Sequence, residues 1–129
     1  MKTCKKRLLI LTEPDSARNW RRNFHVVSQY SGLRVFVATN HTRGHDLLQR
    51  YADRLDAVII DFQYPGGFEN PATFIRGLRE LYSRIPVVGV SNLPERSDYL
   101  MESGCSQVFG FDQSFGKVCE LIGVPAPSK

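Results

Sequence analysis

Asp61 closes an apolar run, Ala57-Val58-Ile59-Ile60, and that run leaves few folds open. It shows no polar alternation and is rich in β-branched residues. Such a run reads as a strand buried on both faces, the condition of an inner strand in a parallel sheet with helices on either side. A carboxylate at its C-terminal end stands where open α/β sheets place their chemistry. Pro65-Gly66-Gly67 follows four residues later and supplies turn chemistry.

The rest of the chain alternates strand and helix. Arg7 to Thr12 is predicted as the first strand. Pro14, Asp15 and Ser16 open a helix, because proline suits the first turn and Asp or Ser suits a cap. Ala17, Trp20, Phe24 and Val27 recur at helical spacing until Gly32 stops them. Leu33 to Ala38 is the second strand. Gly44 to Leu55 is the second helix, with Leu47, Leu48, Tyr51 and Leu55 on one side. Asp56 to Asp61 is the third strand. A third helix begins at Pro71, with Phe74, Ile75, Leu78, Leu81 and Tyr82 as its apolar face. Ile85 to Ser91 is the fourth strand, Glu95 to Ser103 the fourth helix, Gln107 to Phe111 the fifth strand and Ser114 to Ile122 the fifth helix. Five strands alternating with five helices imply a doubly wound, flavodoxin-like parallel sheet of order 2-1-3-4-5. Residues 1–124 form one domain in this reading, and 125–129 are a tail or the start of a linker.

Length and composition agree. A chain of 129 residues, 42% hydrophobic and 23% charged, is enough for one sizeable core. Its apolar stretches are too short to span a bilayer. The basic start before Leu8-Leu9-Ile10-Leu11 lacks the apolar length and cleavage site of a secretory signal. Cys4, Cys105 and Cys119 are odd in number and have no metal-type spacing, which suits reduced thiols in a cytoplasm. Charge is uneven. Residues 1–56 carry eleven Lys/Arg against five Asp/Glu, whereas 57–129 carry six against eight. Solvated helix faces account for a basic half by default; nucleic acid, a membrane surface or an acidic partner protein are the other readings.

In a sheet of this order, four strand ends meet at one edge. They carry Thr12-Glu13, Asp61, Ser91-Asn92 and Phe111-Asp112. Together with Pro65-Gly66, Pro86-Val87-Val88-Gly89-Val90-Ser91 and Glu102-Ser103-Gly104-Cys105, in that order and position, this layout resembles the receiver domains of response regulators over about residues 6–122. The resemblance implies a two-component or phosphorelay signalling module. Asp61 matches the aspartate that accepts a phosphoryl group, and Ser91 the hydroxyl that hydrogen-bonds it. Glu13, Asp61 and the backbone carbonyl of Gln63 match the Mg²⁺ ligands. The partners implied are a histidine kinase or a downstream regulator, and self-phosphorylation is the most catalysis expected.

The match is incomplete. The family's acidic pair after strand one is Thr12-Glu13, one carboxylate on a longer arm, and Mg²⁺ demands near-ideal octahedral geometry, so any Mg²⁺ site is expected to be weak. The family's Lys-Pro after strand five is Phe111-Asp112, which removes a cation that would stabilise transferred charge, and Asp112 is expected to add negative charge. The switch aromatic aligns with Val108, while Phe109 points to the other face. The resemblance is therefore to a degenerate receiver acting through protein contacts. On the family's docking face, formed by the fourth helix, strand five and the last helix, the expected contacts are Tyr99, Phe109 and Lys117.

Two other readings stand beside it: a working phosphoacceptor at Asp61, and a small ligand-binding flavodoxin-like domain. The loop Thr12-Glu13-Pro14-Asp15-Ser16 has no glycine and two acids, which suits no phosphate. His41 and His45 have the i, i+4 spacing of metal ligands, but Thr42 and Gly44 place them at a loop running into a helix, with no third ligand nearby. Trp20 and Phe24 are read as core. Arg18, Arg21 and Arg22 cluster on the first helix, with Arg18 and Arg22 on one side.

Overall fold

The structure, a computed structural model, describes residues 6–65 and 71–125. Calls that fall on Cys4, Gly66-Gly67 and residues 126–129 lie outside the described residues. The elements run β1 (Arg7–Leu11), α1 (Pro14–Ser31), β2 (Arg34–Ala38), α2 (His41–Tyr51), β3 (Ala57–Asp61), α3 (Ala72–Leu81), β4 (Val87–Val90), α4 (Pro94–Ser103), β5 (Gln107–Phe109) and α5 (Phe111–Ile122), with a 3₁₀ turn at Ala52–Arg54. All strand pairs are parallel and the order is β2-β1-β3-β4-β5.

The apolar runs form these strands because both of their faces are covered. Leu8 to Leu11 and Ala57 to Ile60 are fully buried. Leu9, Leu11, Val58 and Ile60 face one core with α2, α3 and α4, through Leu47, Phe74, Leu78 and Leu100. Leu8, Ile10 and Ile59 face a second core with α1 and α5, through Trp20, Phe24, Val118 and Ile122. Each such aliphatic side chain contributes about 1.5–3 kcal/mol by leaving water, so a charge at Ile59 would abolish the fold. Gly89 lets the sheet and α4 approach: a Cβ there would meet Leu100 and Cys105 side-chain atoms at 3.0 and 3.1 Å. Val124 is the last buried residue of the described chain. No helix among the described residues is long and apolar enough to cross a membrane.

Arg79 ties the amino-terminal edge together. Its Nε donates to the Gly104 carbonyl at 2.6 Å, Nη1 to those of Ile85 at 2.6 Å and Ser83 at 3.3 Å, and Nη2 to Ser106 Oγ at 2.5 Å. The end of α3, the lead into β4 and the turn before β5 thus share one guanidinium.

Two boundaries differ from the sequence reading in ways that matter. Strand five ends at Phe109, and Phe111 and Asp112 form the first turn of α5. Gly110 is the N-cap, and Asn92 Oδ1 accepts the Phe111 N–H at 2.8 Å from across the β4–α4 loop. The apolar Phe109-Gly110-Phe111 looked like continuing strand, but an outside acceptor for the first helical N–H starts the helix there. Helix α2 begins at His41 rather than Gly44, because Asn40 caps it by accepting the Arg43 N–H at 2.8 Å. That helix also ends at Tyr51, with Leu55 beyond it as the last buried residue before β3.

Candidate functional site

Asp61 is the last residue of β3 and is 1% exposed. Its carboxylate accepts the Gln63 backbone N–H at 3.1 Å on Oδ1 and the Thr12 hydroxyl at 3.1 Å on Oδ2. The Trp20 indole lies close enough to favour the ionised carboxylate as well. Burial pushes the Asp61 pKa up, these neutral groups hold it down, and the neighbouring Glu13 charge raises it further; the net direction is upward.

Each partner is placed by its own element. Thr12 is fully buried and follows β1, whose register brings Leu11 beside Ile60. The turn after Asp61 is closed by the Tyr64 N–H on the Asp61 carbonyl at 2.9 Å, and that turn aims the Gln63 N–H inward while the Gln63 residue itself stays exposed. Trp20 lies in α1, 4% exposed, stacked on Phe24 at 6.4 Å and tilted against Phe111 at 6.5 Å. Phe111, 41% exposed, opens α5 on the same side as the indole.

The other expected residues fare unequally. Glu13 sits at the N-cap of α1 and accepts the Ser16 hydroxyl at 2.8 Å. Ser91 is buried at the edge, but its hydroxyl is engaged with Leu93, accepting from the backbone N–H at 3.1 Å and facing the carbonyl at 3.3 Å. It caps the turn into α4 and makes no hydrogen bond to Asp61. Asp112 does not act as expected: it is exposed in the first turn of α5, and the like charge felt at Asp61 is that of Glu13. Lys117 is exposed further along α5. Val108 is half-buried against the α4 side and Phe109 against the α5 side. Tyr99 is half-buried, edge-on to Phe62 at 6.0 Å, and the Arg96 guanidinium lies over that Phe62 ring at 4.7 Å.

The donor set does not fit a resident Mg²⁺. Mg²⁺ takes one or two carboxylates but demands near-ideal octahedral geometry, and here both Asp61 oxygens already accept hydrogen bonds while Glu13 is turned to Ser16. No cluster of three or more metal-ligating side chains occurs among the described residues. His41 and His45 are both in α2, their rings 6.4 Å apart, and both pack on Phe74, at 5.3 and 4.7 Å.

Solved structures decide the fold. A receiver domain from Clostridium thermocellum superposes with a TM-score of 0.70 at 17% identity, over 92% of this chain and 90% of that one. The chain has the receiver fold. The receiver domain of a DNA-binding response regulator from Colwellia psychrerythraea superposes at 0.71, with 15% identity over 92% and 98% of the two chains. The receiver domain of a Pseudomonas aeruginosa sensor histidine kinase, which holds magnesium in its active-site cleft, superposes at 0.67, with 17% identity over 94% and 99%. No protein-family model and no curated protein sequence matches. Within this receiver fold, sequence reasoning missed that Trp20 sits beside Asp61. Its helical spacing marked it as core, and only the indole N–H, which needs an acceptor when buried, hinted at more.

Proposed function

We propose that this chain is a receiver-type signalling module that acts through protein contacts, with the phosphoacceptor chemistry of its fold given up. One observation carries the reading: the buried Asp61 carboxylate is held by the Thr12 hydroxyl and the Gln63 backbone N–H, both neutral. Phosphoryl transfer to an aspartate needs positive charge around the transferred group. Here a hydroxyl stands in place of one acid, and Phe111 in place of the cation. Mg²⁺ binds weakly at most, through Glu13, Asp61 and the Gln63 carbonyl.

The contacts are assigned to the corner formed by α4, β5 and α5. Leu93, Met101, Phe111 and Leu121, all in or beside those helices, are among the large apolar side chains left exposed, at 39–46%. These exposed apolar side chains favour this corner, the docking face that the resemblance implies, as the contact surface. Tyr99 and Lys117 flank it, and Phe109 supports it from within. The partner is a histidine kinase or a downstream regulator.

The test is labelling by a small phosphodonor with Mg²⁺. The unmodified chain should label poorly at Asp61. The variant Thr12→Asp, Glu13→Asp, Phe111→Lys should label more, and adding Trp20→Phe, which removes the indole donor, should increase it again. Ready Mg²⁺-dependent labelling of the unmodified chain would overturn the proposal and establish a working phosphoacceptor. In the cell, Asp61→Asn should leave activity largely intact, whereas Lys117→Glu should impair it.

A further inference from the structure

The two edges of the sheet are unlike. Strand β5 has three residues and lies between half-buried turns; β2 has five, Arg34-Val35-Phe36-Val37-Ala38, and is the other outermost strand. Short edge strands protect against unwanted pairing, and long apolar ones invite it. On β2 the Arg34 N–H bonds the Lys6 carbonyl at 3.0 Å, and the Ala38 carbonyl accepts the Thr12 N–H at 3.1 Å. In a parallel ladder alternate residues bond the same neighbour, so Arg34, Phe36 and Ala38 face β1. Val35 and Val37 then turn their N–H and C=O groups outward, and their side chains are only half-buried.

Alongside this edge runs a groove of about 400 Å³, bordered by Arg21, Phe24, His25 and Ser28 of α1 and by Arg34 and Phe36. Arg21, His25 and Arg34 are exposed. Among the described residues, none of Arg18, Arg21, Arg22 and Arg34 has an ion-pair partner; the carboxylates Asp46 and Asp56 are engaged by Arg43, Arg50 and Lys6. The groove thus offers three things at once: open backbone hydrogen bonds, apolar side chains at strand spacing, and unneutralised positive charge.

We propose that the outer edge of β2 is a docking site for an extended acidic segment of a partner protein, which adds to the sheet as a sixth strand. Val35 and Val37 exchange main-chain hydrogen bonds with it. Its apolar side chains lie beside Val35 and Val37 on the α1 face, where Arg21 adds positive charge, and the carboxylates of its opposite face pair with Arg34. Strand addition draws affinity from the main chain and selectivity from the side chains that flank it. A second copy of this chain is disfavoured as the occupant, because edge-to-edge pairing of two β2 strands brings two basic grooves together. The site is separate from the corner of α4, β5 and α5, so it stands or falls independently of the function proposed above.

The experiment titrates the full chain with an end-blocked peptide of alternating valine and glutamate, following amide shifts and hydrogen exchange. Saturable binding should protect the Val35 and Val37 amides and leave the amides of α4 and α5 unmoved. The same peptide with lysine for glutamate should not bind. Arg34→Glu, at an exposed position facing the peptide's carboxylates, should weaken binding about tenfold, and Arg21→Glu, which acts through the local field alone, by less. Val37→Pro should abolish it; proline is tolerated on an edge strand where the N–H faces out, and the two charge reversals carry the test if that variant fails to fold. Equal binding of the lysine peptide, shifts confined to other surfaces, or self-association at this edge in sedimentation would each overturn the proposal. So would displacement of the peptide by duplex DNA with loss of DNA binding in Arg34→Glu, since the groove would then be reading phosphates.

Discussion

Arg79 and Asp61 lie at opposite edges of one sheet, and each is a charge drawn into the protein. They are treated differently. The Arg79 guanidinium meets three carbonyls and a hydroxyl from segments far apart in sequence, and so joins what the chain leaves separate. Asp61 is more deeply buried, has only neutral donors, and feels Glu13 as a like charge. A charge that is well solvated by fixed dipoles serves the fold. One held at a cost at the carboxyl edge of a parallel sheet is the kind of group that functional sites use. At the amino edge the charge is met by fixed acceptors, and at the carboxyl edge it is held against burial.

The sharpest way to break that contrast is at Arg79. Arg79→Ala should cost about 2–3 kcal/mol, because it strands several carbonyls without donors, and denaturant unfolding would measure it. Arg79→Lys should recover little, since an ammonium cannot span the same fork of acceptors. A loss under a few tenths of a kcal/mol would show that the knot is ornamental.

At the other edge the sign reverses. The folded pKa of Asp61 is raised above its unfolded value of 3.8, so the native state holds the proton more tightly. This lowers stability as pH rises from about the unfolded pKa through the folded one, and the full cost is present above both. Asp61→Asn removes that cost, so its Tm at neutral pH should exceed that of the parent by a few degrees. The difference should shrink as pH falls toward the unfolded value. A variant less stable than the parent at neutral pH would mean that the donors outweigh burial.

A smaller effect is expected where the two loops of the carboxyl edge meet. Asn92→Ala deletes the acceptor for the Phe111 N–H and should cost about 1 kcal/mol, the usual worth of a helix cap. Gly110→Ala should act at the same point, because its Cβ would meet Asn92 Oδ1 at 2.8 Å. The two losses should not add, since both break one contact. The smallest expected effect is that of Mg²⁺: titration into the millimolar range should leave the Trp20 fluorescence nearly unchanged, whereas tight saturation would restore the metal site.

The fold was legible because its strongest signals are continuous. Val58-Ile59-Ile60 and Leu8-Leu9-Ile10-Leu11 have no polar face to turn outward, so a sheet covered on both sides was the solution open to them. The strand end at Asp61 followed from the same pattern. The site was legible only as far as residues act where they stand in sequence. Asn92 reaches nineteen positions along to start α5, and nothing at Phe111 announces it. Asn40, by contrast, stands directly before α2, and a cap residue at that point was a readable sign that the helix begins at His41. Ser91 was placed correctly at the edge, but which way a hydroxyl turns depends on the loop it caps. Trp20 obeys helical spacing like any core residue, and periodicity carries no information about where an indole N–H points.

For partners docking at the corner of α4, β5 and α5 as proposed above, the bond from Asn92 to the first turn of α5 also bears on how they meet this protein. It fastens the loop ahead of α4 to the start of α5, so the corner between them is assembled before anything docks. A surface already in its bound shape gives up little chain entropy on association, and encounter then depends on diffusion and charge. Such a corner works as a template, offering each partner the same relief and leaving the partner to do the adjusting.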